Sequence, residues 1–146
     1  LIEIRLVDGA ATQELRRAVL RPYWPIGSPM HGDENPDAVH IAALNDGELV
    51  GCCLILPRPF PIRPDEPGGW QLRGMATVAR RQGTGIGSQV VAAALAEGER
   101  RAGRFLWCDA RTTAVPFYRK HGFATEGDEF LHAESGTPHY RMWRMI

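Results

Sequence analysis

Met75-Ala76-Thr77-Val78-Ala79-Arg80-Arg81-Gln82-Gly83-Thr84-Gly85-Ile86-Gly87-Ser88 is the stretch that decides how this chain folds. Its opening residues finish an apolar run, Trp70–Val78, with strand character. Its closing residues enter a helical period over Gly85–Gly103, in which Ile86, Val90, Val91, Ala94 and Leu95 fall on one face. Glu97 and Arg101 are spaced as an i,i+4 pair on the other side, and Gly103 suits the C-terminal cap. Three alternate glycines, Gly83, Gly85 and Gly87, separate strand from helix. Glycine turns the backbone tightly and lets a ligand approach the peptide N–H groups. The helix behind adds unsatisfied donors and the positive end of its dipole. Gln82–Ser88 is therefore a candidate cradle for a phosphate or diphosphate, with Arg80 and Arg81 adding positive charge beside it.

Other uses of such a loop fit less well. A Walker-type loop needs a Lys after its glycines, and none is present. A dinucleotide fingerprint is met by Gly83 and Gly85, but Ser88 stands where the third Gly belongs. Asp109 is placed for a ribose hydroxyl, yet only about 60 residues follow the loop, too few for the rest of a dinucleotide fold. A plain connecting turn is the remaining alternative.

Working outward, Ile2, Ile4 and Leu6 alternate with polar residues as a first strand. Ala11–Arg21 reads as a helix with Leu15, Val19 and Leu20 on its apolar side, stopped by Pro22. Pro22–Asp37 has loop chemistry, and its Asp33, Glu34 and Asp37 suit either solvation or recognition of an ammonium group. Val39–Leu44 and Glu48–Leu56 flank Asn45-Asp46-Gly47, a hairpin signature. Pro57–Gly69 is a second loop. Phe105–Asp109 is a short buried strand. A helix over Ala114–His121 comes next, capped by Thr113, with Pro116 in its first turn and Gly122 ending it. Ala114, Val115 and Tyr118 would share its inner face. Phe123–Phe130 and His139–Ile146 close the chain as strands. The order implies one α/β domain over residues 1–146 with a sheet of mixed direction.

Composition narrows the function. The chain has 17 basic and 17 acidic residues and no net charge, so neither nucleic acid nor a membrane surface is an expected partner. Cys52, Cys53 and Cys108 form no C-x-x-C pair and read as buried free thiols, which favours a reducing, cytoplasmic home. Leu1–Asp8 has the alternation of a strand rather than of a signal peptide or anchor. His31, His40, His121, His132 and His139 lack metal-ligand spacing, so no metal is expected. His139, between Pro138 and a strand, could line an acceptor pocket. Trp24, Trp70, Trp107 and Trp143 read as core.

Met75–Gly87 resembles the acetyl-CoA motif of the GNAT superfamily of N-acetyltransferases, Q/R-x-x-G-x-G/A, through Gln82, Gly85 and Gly87. Downstream, Phe117-Tyr118-Arg119-Lys120-His121-Gly122-Phe123 is similar to that family's F-Y-x-x-x-G-F signature. Leu72–Ala76, Asp109–Arg111 and the Glu129-Phe130 to Pro138-His139 ending look most like small bacterial members of the ElaA/YjcF type. The resemblance implies a single-domain GNAT fold: a mixed, mostly antiparallel sheet of about six to seven strands flanked by helices, with a splayed central pair. It implies that Met75, Ala76 and Thr77 pair their backbone with the pantetheine arm of acetyl-CoA. The amides of Gly83, Thr84, Gly85, Ile86, Gly87 and Ser88, introduced by Gln82, would hold the pyrophosphate. Tyr118 would be the general acid that protonates the departing thiolate. The expected reaction is acetyl transfer to a primary amine, small molecule or peptide, by direct attack in a ternary complex. A homodimer is allowed and not required. Leu106 stands where the family often has a Glu base, which leaves Asp109 as a candidate, and Arg111 replaces an Asn that commonly meets pantetheine. A rival from another class is a catalytically silent acyl-CoA sensor.

Overall fold

A computed structural model describes the whole chain, Leu1–Ile146. The elements run β1 (Ile2–Val7), α1 (Gln13–Leu20), β2 (Val39–Asn45), β3 (Glu48–Pro57), β4 (Gly69–Thr77), α2 (Ile86–Arg100), β5 (Phe105–Arg111), α3 (Val115–Lys120), β6 (Ala124–Leu131) and β7 (Pro138–Met145). The strands form a seven-stranded sheet in the order β1-β2-β3-β4-β5-β7-β6. Neighbours β1–β2, β2–β3, β5–β7 and β6–β7 are antiparallel, whereas β4 and β5 are parallel. This is the mixed α/β sheet expected, with every element found close to its expected place. The chain divides into two compact units, Leu1–Leu56 with Leu72–Glu97, and Pro57–Gln71 with Gly98–Ile146, and β4 contributes to both.

In the first unit the β2–β3 hairpin turns through Asp46 and Gly47, both left-handed at φ 51° and 85°. Two such residues make the turn whose twist matches paired strands, which is why Asp-Gly stands there. Cys52 through Leu56 are all buried, so β3 is apolar on both faces rather than alternating. Ile86, Val90, Val91 and Ala94 of α2 are buried as expected. Ile86 seats against β3 because residue 51 has no side chain: a Cβ on Gly51 would lie 2.6 Å from Ile86 Cγ2. Glu97 departs from expectation, since it is buried rather than on the solvent face.

The larger departure is α1. Its one buried residue is Arg16, not Leu15, Val19 or Leu20. Arg16 grips Asp33 with two parallel bonds of 2.8 and 2.9 Å. It also donates to the Gly9 carbonyl and to Thr12 Oγ1. Asp33 is thereby committed to this pair rather than to a solvated loop or an external ammonium. The guanidinium stem lies against β4 at Gly74, where a Cβ would meet Arg16 Cδ and Leu54 Cδ2 at 2.9 Å. Gly74 is itself left-handed at φ 62°, the conformation of a bulged strand residue.

In the second unit Phe60, Phe105 and Trp107 form an apolar cluster with Trp143 packed on it. Trp107 Nε1 donates to the Arg58 carbonyl at 2.9 Å, so the indole nitrogen is satisfied. Helix α2 ends in a left-handed residue, but it is Ala102 at φ 61° and not Gly103. Gly103 N–H donates to Gly98 O and Ala102 N–H to Glu99 O, the two bonds of a Schellman cap. Glycine is needed at 103 for space, because a Cβ there would meet Trp70 Cδ1 at 2.8 Å. Thr113 is not a cap: it lies in a 3-10 turn, Thr112–Ala114, and the residue before α3 is Ala114, with no side-chain cap.

Arg16→Ala strands a carboxylate that is only 24% exposed, and a loss of about 3 kcal/mol is expected in urea unfolding. Asp33→Ala added to that variant should cost much less than it does alone. His40 gives a pH signature. Burial first, then the nearby Arg16, hold His40 below the ordinary imidazole range, while Asp33 and Asp8 pull the other way. The unfolded chain therefore binds this proton more readily, and stability falls as pH drops below about 6.5. Thermal melts of His40→Gln should show a shallower acid loss than wild type.

Candidate active site

The glycine loop is built as its sequence suggests. Gly83 and Gly85 are left-handed, at φ 80° and 90°, and a Cβ on either would touch nothing. Conformation, not crowding, reserves both positions for glycine. Gln82 Nε2 donates to the Thr77 carbonyl at 3.1 Å and so ties the loop to the end of β4. Gln82, Gly83, Thr84 and Gly85 are exposed, Gly87 and Ser88 are half-buried, and Ile86 is buried as the helix's first anchor. The amides of Gly83, Gly85, Ile86 and Gly87 make no bond to a backbone carbonyl, whereas Gln89 N–H donates to Gly85 O. Thr84 is different: its amide and hydroxyl both donate to Arg81 O. Its amide is therefore spoken for within the loop. Arg80 is paired with Glu48 on the surface, which offsets part of the positive charge expected there.

Strand β4 pairs with β5 only through Gly69, Trp70 and Gln71, opposite Phe105, Leu106 and Trp107. From Leu72 to Thr77 it has no β5 partner, which is the splayed central pair. Met75 and Thr77 are half-buried and Ala76 is buried. Cys52 Sγ and the Arg16 stem both abut Gly74, immediately before them.

Tyr118 lies on α3, 7% exposed beside buried Val115. Its ring meets Phe117 edge-on at 5.1 Å and Phe123 at 5.5 Å. The F-Y and G-F ends of the motif are thus one packed aromatic group, closed by the left-handed Gly122. This packing fixes the phenol's direction.

A group that the sequence brought only partly to notice gathers on β5, β7 and the turn before β7. Asp109 pairs in register with Arg141, and Arg111 with His139. Asp109 lies 3.6 Å from Arg141 Nε and 3.9 Å from His132 Nε2. His132 and His139 stack with centroids 4.6 Å apart, and Arg141 covers the Phe130 ring at 4.4 Å. Asp109 and His139 were candidates from sequence. His132 and Arg141 were not, because only the pairing of distant strands brings them in.

A strand, a left-handed glycine loop and a helix with open leading amides stand in order within a mixed sheet whose central pair parts early. Residues 10–123 match the model of the Acetyltransferase (GNAT) family. The chain belongs to the GNAT acetyltransferase family. It is accordingly an acyltransferase that works with an acyl-CoA. Among GNAT relatives, the uncharacterized N-acetyltransferase YitI of Bacillus subtilis is 28% identical over 134 residues, covering 89% of this chain and 87% of YitI. The crystal structure of Escherichia coli ElaA superimposes with a TM-score of 0.77 at 19% identity over 99% of both chains. An aminoglycoside 6'-N-acetyltransferase solved with coenzyme A gives 0.73 at 20% identity, covering 98% of this chain and 96% of that one. These two likenesses establish the GNAT fold. No helix is long and apolar enough to cross a membrane, a statement that leaves β-barrels aside.

Gly85→Ala meets no atom but forces a left-handed alanine, so a stability loss of about 1 kcal/mol is expected in thermal unfolding.

Proposed function

We propose that this GNAT protein transfers acetyl from acetyl-CoA to a primary amine, a small molecule or a peptide, by direct attack in a ternary complex. The observation that carries this reading is the set of open amides at Gly83, Gly85, Ile86 and Gly87 leading into a helix of 15 residues. Backbone donors and the helix dipole favour a diphosphate there. Ser88 is the last residue of the proposed binding loop, and Gln82 holds the loop in shape. Thr84 contributes to the turn, its amide and hydroxyl both engaged by the Arg81 carbonyl. Met75, Ala76 and Thr77, unpaired by β5, are the proposed partners of the pantetheine amides. The aminoglycoside acetyltransferase with this fold was solved holding coenzyme A, which supports the same ligand class here.

Acetyl transfer needs two proton movements. The amine must be neutral to attack, and a thiolate leaves better when protonated. A phenol of pKa about 10 is matched to a thiol of about 8.5, so Tyr118 is the proposed donor to sulfur. An acyl-cysteine intermediate has little support. All three thiols are buried, and burial raises Cys52 to about 12 and pushes Cys53 and Cys108 up as well. The same free thiols favour work in the reducing cytoplasm.

Acetyl-CoA should raise the melting temperature and NAD should not, since only a ligand of the folded state stabilises it. With a panel of primary amines, thiol release should follow amine addition. Tyr118→Phe should lower kcat roughly a hundredfold while the Kd for acetyl-CoA holds. Binding of acetyl-CoA with no amine ever acetylated would favour a sensing role instead.

A further inference from the structure

We propose that His139 is the proton acceptor for the amine, its Nε2 taking the proton that an alkylammonium must lose before its nitrogen can attack. This deepens the acetyl-transfer reading above and rests on it.

The ring's own bonds set its chemistry. His139 Nδ1 lies 2.8 Å from the Thr137 carbonyl oxygen. A carbonyl only accepts, so Nδ1 carries the hydrogen and the neutral ring presents its lone pair at Nε2. No hydrogen bond within the protein engages that nitrogen. Solvent also reaches it, for it is not among the sealed, unpartnered polar atoms, whereas His40 Nδ1 is. The residue as a whole is only 5% exposed. Stacking on His132 at 4.6 Å and the Phe130 ring at 6.0 Å hold it in place. A fixed imidazole whose neutral form has one reachable lone pair is what a general base requires.

The neighbours fit this role better than they fit being the base themselves. Asp109 Oδ1 is sealed from solvent, and its Oδ2 faces His132 Nε2 at 3.9 Å, so the carboxylate is turned toward that ring. His132 Nδ1 accepts from Glu134 N–H at 3.3 Å, which leaves its proton on Nε2, facing Asp109 Oδ2. Asp109 and His132 are thus positioning residues: the carboxylate orients one ring, and that ring supports the other. The charged and titratable groups around His139 are Asp109 and Arg111 on β5, Arg141 on β7, and His132 and Glu134 in the turn. Past Trp107, β5 has β7 as its one paired strand, so Asp109–Arg111 and the opposing His139 occupy an open-edged end of the sheet. His132, His139 and Asp109 do not make a metal-holding group.

The step balances. The ammonium gives one proton to Nε2, and the freed nitrogen pair forms the N–C bond to the thioester carbon. The C–S bond then breaks with its electron pair on sulfur, which takes a proton from Tyr118. The second proton on nitrogen restores Tyr118, and His139 returns its proton to water. Products are the amide, free CoA thiol and one proton.

The test uses the full chain, acetyl-CoA, and putrescine, phenylethylamine, kanamycin and a tripeptide as amine probes. For any probe that wild type acetylates, His139→Gln should lose roughly a hundredfold in kcat near neutral pH. It should recover as pH nears the amine's own pKa of about 10, where the free amine needs no base. His139→Gln should keep the wild-type affinity for acetyl-CoA, and His132→Gln should fall less. In wild type, long-range nitrogen NMR should find the neutral His139 proton on Nδ1. A His139→Gln enzyme with unchanged rate and pH profile, or a proton on Nε2, overturns the assignment while leaving acetyl transfer intact. Wild type that acetylates no probe overturns both.

Discussion

A guanidinium out of reach of water governs the first half of this molecule. Arg16 is 1% exposed, and taking such a charge from water is repaid only by a close counter-charge and well-placed acceptors. Asp33, the Gly9 carbonyl and Thr12 supply them, which ties α1 to the loop before β2. The stem of the same side chain presses on Gly74, with Cys52 Sγ against the Gly74 carbonyl. The residues next along β4, Met75 to Thr77, are the ones proposed to pair with pantetheine. In that proposed role the strand would need support from behind, and here the support is polar and directional.

The glycine loop works on a complementary principle. Nothing crowds Gly83 or Gly85, so their lack of side chains serves the sign of φ rather than packing. Gly51 and Gly103 are the reverse: both have ordinary φ, and a Cβ on either would collide with Ile86 or Trp70. One residue type thus shapes the glycine loop in some places and lets helix and sheet approach in others. The aromatic signature around Tyr118 works through packing alone, holding the ring between Phe117 and Phe123.

Most of the architecture was legible because it obeys local rules. Asp46-Gly47 dictates its own turn, the period of Ile86, Val90, Val91 and Ala94 dictates a helix face, and the glycine spacing dictates the loop. The failures are long-range. Nothing local marks Arg16 as buried, because its partner is 17 residues away in a loop whose acids suit solvation as well as binding. Glu97 sat on the polar side of a helical wheel that turned out to be covered. Gly103 had the look of the left-handed cap, yet Ala102 takes that conformation and Gly103 answers to Trp70. His132 and Arg141 meet Asp109 through strand pairing, which no window of sequence displays.

The buried thiols have a practical corollary. Cys52, Cys53 and Cys108 are each at most 2% exposed, and burial disfavours the thiolate at all three. Maleimides and other electrophiles react with thiolates that they can reach. The natural protein is therefore a blank background for labelling. A single cysteine introduced at exposed Glu99, near the end of α2, would carry a fluorophore or spin label without any native thiol having to be removed.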